Sequence, residues 1–128
     1  MDMNEYQEQC RRTQRKDLPL WAMREHALYG LSSEVGEVCG LHQKVHQGHV
    51  MDEAALRLEI GDCLWFIAEL CDCYGWSMAD VAMANIQKLR VRYKEAFTPE
   101  ESRKRVDLKP TKLTVRSRYY SKARGVEK

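Results

Sequence analysis

From Asn4 to about Ala96 the chain reads almost without interruption at the period of an α-helix, with no alternation of strand and helix and no internal repeat. Such a pattern restricts the fold to helices packed on helices, and it predicts an all-α protein with a four-helix core bundle. Asn4, with Gln7 three residues later, has the spacing of a capping box for a first helix running to about Arg15. Asp17 restarts the chain, and Pro19 is tolerated in the first turn of a second helix from about Leu18 to His46, whose apolar face is Leu31, Val35, Val38, Leu41 and Val45. Gln47-Gly48-His49 ends it. Asp52 is a good cap for a third helix, about Glu53 to Tyr74, stopped by Gly75. Its stretch from Cys63 to Tyr74 is apolar nearly all round except for Glu69 and Asp72, which predicts the centre of the bundle. Ser77 with Asp80 opens a fourth helix carrying Met78, Val81, Ile86 and Leu89 to about Ala96, and Thr98-Pro99-Glu100-Glu101 begins a short fifth turn or helix.

At 128 residues the chain has room for one core. Its formal charge of +2 points to no partner, but the distribution is uneven: Pro99–Lys128 carry ten Lys/Arg against four Asp/Glu, a net of +6, which leaves the preceding body at −4. The expected organisation is a helical domain over 1–98 and a basic extension over 99–128. In that extension Leu113 and Val115 alternate with polar residues as far as Tyr120 without an obvious partner strand, so the expectation is an arm that is disordered or ordered only against another subunit. No apolar run approaches the roughly 20 residues of a membrane span, and the N-terminus is polar, so the chain is expected in the cytoplasm. Five cysteines, an odd number without paired C-x-x-C spacing, predict reduced thiols: Cys39, Cys63, Cys71 and Cys73 at or beside apolar helix positions and Cys10 in the first helix.

Against this apolar background two acidic pairs stand out, Glu34/Glu37 in LSSEVGEV and Glu59/Asp62 in LEIGDCLWF. A three-residue separation puts both acids of a pair on one helix face, about 5 to 6 Å apart at Cβ. Most such pairs are solvated, but Glu34 falls in the seam between Leu31 and Val38, where an ionised carboxylate is costly unless paired or metal-bound. Two pairs facing each other form a cage of hard oxygen ligands suited to Mg²⁺ or Mn²⁺, and hence to phosphate chemistry. Gly36 and Gly61 lie inside the two pairs, each costing roughly 1 kcal/mol relative to Ala in a helix, and close helix approach around the cage would offset that. Glu69/Asp72 repeat the E-x-x-D spacing and form a rival pair, with Glu69 a candidate supporting residue near the angular position of Asp62.

On the fourth helix Asn85, Lys88 and Arg92 form one polar stripe, able to hold phosphate oxygens if it faces the cage and otherwise an ordinary solvated face. Cys39, His42, His46 and His49 also share helical spacing and offer a soft-metal alternative, although histidines near a helix C-terminus are more often solvent-facing. Trp21, Trp65 and Trp76 are candidates for base stacking or for core packing. The chain has no G-x-x-x-x-G-K-[ST], H-E-x-x-H, P-C-x-x-C or G-x-S-x-G, and no E-x-x-H of a di-iron bundle.

GLSSEVGEV, the 21-residue spacer between Glu37 and Glu59, and EIGDCLWFIAELCDCYGWSMADVAMANIQKLRVRY together resemble the MazG-like all-α nucleoside triphosphate pyrophosphohydrolases, whose hallmark is E-x-x-E, a spacer, then E-x-x-D. The resemblance covers about Ala27 to Tyr93, with the opening NEYQ and Phe97–Arg105 also similar to smaller members. It implies hydrolysis of an NTP or dNTP between the α- and β-phosphates to a monophosphate and pyrophosphate. It also implies Mg²⁺, replaceable by Mn²⁺, held by Glu34, Glu37, Glu59 and Asp62, which decides against Glu69/Asp72, and a homodimer or homotetramer with sites by the subunit interface. Asn85 and Lys88 match polar residues that approach the nucleotide. Of the acids, Glu37 is the first choice for orienting or deprotonating the attacking water, with Glu34 the alternative. Val106–Lys128 have no counterpart. A non-catalytic oligomeric binding protein that uses its basic tail for nucleic acid or a protein partner, and a relative acting on phosphoribosyl-ATP, are the competing readings. Tyr6, Gln7, Trp21 and His26 are the candidates for contacts to the base.

Overall fold

The structure is a computed structural model, and it describes residues 1–108. Among these residues every regular element is helical: α1 (Met3–Cys10), α2 (Leu20–His46), α3 (Glu53–Tyr74), α4 (Met78–Arg92), α5 (Pro99–Lys104) and a 3₁₀ turn over Val106–Leu108. The alternating stretch around Leu113 and Val115 and the arm expected there lie outside the described residues. No helix is long and apolar enough to cross a membrane among the described residues. The chain divides into two compact units, Met1–Tyr74 and one that begins at Gly75.

In the first unit the caps decide the boundaries. Asp2, not Asn4, opens α1: its carboxylate accepts from the backbone N–H groups of Asn4 and Glu5, and Glu5 reaches back to the Asp2 N–H. The helix is shorter than expected, ending at Cys10 rather than near Arg15. Thr13 closes the turn, its hydroxyl donating to the Cys10 carbonyl while its oxygen accepts from Trp65 Nε1–H at 2.8 Å. Pro19 precedes α2 in an extended conformation, and α2 stops at Gly48, whose φ of 92° lets the His49 and Gly48 N–H groups return to the Lys44 and Val45 carbonyls. Asp52 caps α3 through the Ala55 N–H, as its sequence predicts.

Packing makes α3 the middle of this unit, since both α1 and α2 lie against it. Burial concentrates in its C-terminal half, at Ala68, Glu69, Cys71 and Cys73; Ala27 of α2 and Gln7 and Cys10 of α1 are buried as well. The expected burial does not extend to the whole apolar stretch: Leu64 is 41% exposed, and on α2 Val35 and Val45 stay exposed while Leu31, Val38 and Leu41 are half-buried. α2 carries apolar residues on more than one side, and α3 covers only one of them. All five thiols are free; Cys10, Cys71 and Cys73 are buried, Cys63 is half-buried and Cys39 is exposed rather than packed. Burial pushes the Cys71 and Cys73 thiols upward in pKa, which keeps them neutral.

Asp72 ties the N-terminal segment to α3. Its carboxylate accepts from Gln7 Nε2 at 2.7 Å, Arg11 Nη2 at 2.8 Å and Gln14 Nε2 at 3.0 Å. Gln7 is 2% exposed, so loss of this acceptor removes a hydrogen bond to a buried amide. Asp72→Ala is expected to lower stability by about 1–3 kcal/mol, read as a lower urea midpoint at unchanged slope.

In the second unit α4 starts on Ser77, whose hydroxyl caps the Asp80 N–H, and α5 on Thr98, which caps the Glu101 N–H. α4 ends at Arg92 rather than near Ala96. Tyr93 turns extended, its ring 5.5 Å from that of Phe97, and Arg92 makes a two-pronged ion pair with Asp107 at 2.8 and 2.6 Å. That pair holds the 3₁₀ turn against α4 and pulls the Asp107 carboxyl down to about 2.

Candidate active site

α2 and α3 run antiparallel, joined by the segment after His46, and their cross-contacts define a ladder. His26 meets Glu69, Gly30 meets Phe66, and Glu34 meets Glu59 and Asp62. On α2 the residues His26, Gly30 and Glu34 are spaced by four, and on α3 Glu59, Asp62, Phe66 and Glu69 are spaced by three or four, so each set occupies one face.

The close approach of the two helices falls at Gly30. A Cβ there would stand 2.1 Å from the Phe66 ring, whereas at Gly36 and Gly61 it would meet nothing within 4 Å. The expectation that Gly36 and Gly61 serve close packing at the cage is therefore corrected: the glycine that packing requires lies one turn before the acids. The Phe66 ring is fixed in turn by Trp65, edge-on at 4.9 Å, and by His26, 5.6 Å away.

One turn further, carboxylate oxygens of Glu34, Glu59 and Asp62 lie within 4.8 Å of one another, with Glu34 and Glu59 half-buried and Asp62 exposed. Glu34 sits in the half-buried seam with Leu31, Val38 and Leu41, as its register predicts. Burial raises its pKa, and repulsion from Asp62, Glu59 and Glu37 adds to the rise. Desolvation and the same negative field push the Cys63 thiol upward. An all-oxygen, all-acid group under mutual repulsion fits a hard divalent cation of the Mg²⁺ or Mn²⁺ kind and does not fit a soft metal. Glu37 is exposed and stands outside the tight group of three, while still contributing to the field on Glu34. Tyr6 reaches the site from α1, its hydroxyl donating to the Gly61 carbonyl at 3.4 Å. Burial, a hydrogen bond with Cys10 and the nearby Asp62 push its pKa to about 12, so it remains a neutral phenol.

The rival acids have other partners. Asp72 anchors α1, and Glu69, 1% exposed, faces His26 Nδ1 at 2.8 Å. Cys39, His42, His46 and His49 are all exposed and form no metal-sized group among the described residues. Trp21 is 65% exposed, Trp65 is committed to Thr13, and Trp76 is 39% exposed. In the second unit Asn85 and Lys88 are exposed, whereas the guanidinium of Arg92 is engaged by Asp107. Of these features the sequence reading lacked the His26–Glu69 pair, whose members are 43 residues apart and carry no local signature.

Carboxylates converging from two antiparallel helices define an all-α protein with a candidate divalent-cation centre. Residues 23–97, more than half of the chain, match the model of the MazG nucleotide pyrophosphohydrolase domain, and the chain belongs to that family. No curated protein and no solved structure gives a significant match.

Proposed function

We propose that the chain is a Mg²⁺-dependent nucleoside triphosphate pyrophosphohydrolase that converts an NTP or dNTP and water to the monophosphate and pyrophosphate. The observation that carries this reading is the convergence of Glu34, Glu59 and Asp62 within 4.8 Å, in a chain of the MazG family. These three residues would hold the cation, with Glu37 completing the set from the next turn of α2. A bound Mg²⁺, or Mn²⁺ in its place, supplies charge stabilisation to the phosphate oxygens and acidifies a coordinated water.

The chain's own groups do the rest. Glu37, the most accessible acid of its pair, accepts the proton as the water oxygen forms its bond to phosphorus and the P–O bond bridging the α- and β-phosphates breaks. Asn85 and Lys88 are assigned to the phosphates, a neutral donor and a point charge. Arg92 is assigned there only in so far as Asp107 releases it.

Apolar side chains left uncovered on α2 and α3, among them Leu28 at 48%, Tyr29 at 69%, Leu58 at 69% and Leu64 at 41% exposure, support assembly as a homodimer or homotetramer. The reduced thiols fit a cytoplasmic setting.

Glu37→Gln is expected to reduce pyrophosphate release by about 10²–10⁴-fold with an unchanged far-UV circular dichroism spectrum. Undiminished turnover in that variant would remove Glu37 from the reaction.

A further inference from the structure

We propose that Asp107 is an internal competitor for Arg92: its carboxylate takes the place of a ligand phosphate on the guanidinium, and a pyrophosphate-type anion displaces it and releases the 3₁₀ turn from α4. The inference rests on the reading that Asn85, Lys88 and Arg92 serve the phosphates of a nucleotide.

The first observation is how differently the members of that stripe are engaged. Asn85, Lys88 and Arg92 follow one another by three and four residues on one face of α4. Asn85 and Lys88 are exposed, whereas the Arg92 side chain is 16% exposed and gripped. Its Nε and Nη2 donate to the two oxygens of Asp107 at 2.8 and 2.6 Å. A guanidinium holds a phosphate group through the same two-pronged fork, so carboxylate and phosphate are alternative occupants of one donor pair.

The second observation is that little besides this pair holds the carboxylate in place. The 3₁₀ turn Val106–Leu108 buries no residue, and Val106 is 40% and Leu108 66% exposed, while the Asp107 side chain is 2% exposed. Arg105, which leads from α5 into the turn, has a φ of 45°, a left-handed conformation unfavourable for a residue with a Cβ. Its Nε stands 3.7 Å from Asp107 Oδ1, so the only other cation beside the carboxylate among the described residues belongs to the same segment and leaves with it. Departure of the turn therefore gives up few apolar contacts and frees a strained backbone. Arg92, in contrast, is also hydrogen-bonded to the Tyr93 hydroxyl, which keeps its guanidinium on α4 when Asp107 goes.

A proton does not open this contact near neutrality, because Arg92 holds the Asp107 carboxyl at about 2. A competing anion can. Pyrophosphate carries more charge and more acceptor oxygens than one carboxylate and presents them in the geometry that the fork accepts.

Two measurements test the exchange on the full-length protein. The Arg92 Nε–H resonance and hydrogen exchange at the Leu108 amide, which donates to the Arg105 carbonyl at 3.0 Å, are followed by NMR during titration with pyrophosphate in the presence of Mg²⁺. The Arg92 signal is expected to shift and the Leu108 amide to exchange faster as pyrophosphate binds. In parallel, Asp107→Asn is expected to bind pyrophosphate about five- to ten-fold more tightly by calorimetry and to lower the KM for nucleoside triphosphates by a similar factor at unchanged kcat, as when the wild type has Arg92 open about 10–20% of the time. An Arg92 signal that pyrophosphate leaves unmoved overturns the proposal, as does an Asp107→Asn variant that melts lower with equal or weaker pyrophosphate binding, the behaviour of a structural clamp. If that variant does not fold, the wild-type titration decides. Absence of turnover on every nucleotide defeats the proposed reaction instead, and the pyrophosphate titration, which needs no turnover, still decides the exchange.

Discussion

Glu34→Gln is expected to abolish Mg²⁺-dependent pyrophosphate release, by at least about 10²-fold, and to raise the melting temperature of the protein in metal-free buffer. The two effects have one origin. Glu34 is half-buried between Leu31 and Val38 and lies with Glu59 and Asp62 inside 4.8 Å, so without a cation its charge is both desolvated and repelled. Glutamine keeps the shape and loses the charge. The folded state is relieved, while the site loses the carboxylate that is most enclosed by the others. Addition of Mg²⁺ separates the proteins further. At about 100 times the Kd a ligand that binds only the folded state stabilises it by about 2.7 kcal/mol, and this gain is expected in the wild type and absent from the variant. Differential scanning fluorimetry with and without Mg²⁺, beside the activity assay, reads all three effects. A variant that melts lower in EDTA and still responds to Mg²⁺ would show that Glu34 is a structural residue.

The second large effect is expected at an uncharged contact. Gly30→Ala places a methyl group 2.1 Å from one carbon of the Phe66 ring and 2.3 Å from the next. The ring has little room to yield, since Trp65 meets it edge-on and His26 lies on another side. Either the helices part or Phe66 leaves its rotamer, and overpacking of this kind typically costs about 1–3 kcal/mol even though alanine is the better helix former by about 1 kcal/mol. The same substitution at Gly36 meets open space and is expected to stabilise. Because the cost at Gly30 resides in one contact, it is expected to be non-additive: in a Phe66→Ala background, Gly30→Ala should cost little or nothing. Urea denaturation of the four proteins completes the cycle, and simple additivity would contradict the contact.

The convergence of Glu34, Glu59 and Asp62 was legible in the sequence for a physical reason. Carboxylates at E-x-x-E and E-x-x-D spacing inside an apolar helical register leave few places to go, and Glu34 does occupy the half-buried seam that its neighbours Leu31, Val38 and Leu41 define. α3 was legible from Asp52 to Gly75 because a cap, a long apolar run and a glycine all agree. The start of α1 was misread because Asp2 and Asn4 are comparable caps, and the choice is made by Glu5 reaching back to the Asp2 N–H. The role of Gly30 was hidden because helical spacing alone does not tell which glycine meets a side chain of the facing helix. That depends on the register of α2 on α3, which sets Gly30 against Phe66 and leaves Gly36 and Gly61 open. Arg92 read as one member of a polar stripe, but its partner Asp107 lies 15 residues on, beyond the reach of periodicity.

The central claim is that this acidic face directs water to a nucleoside triphosphate between its α- and β-phosphates. The most direct measurement is ³¹P NMR of the products formed from a panel of ribo- and deoxynucleoside triphosphates with Mg²⁺ in ¹⁸O-enriched water. The predicted result is monophosphate and pyrophosphate in equal amounts, one ¹⁸O in one of the two, and no reaction when Mg²⁺ is withheld. Orthophosphate and a nucleoside diphosphate, or triphosphates left intact across the whole panel, would contradict it.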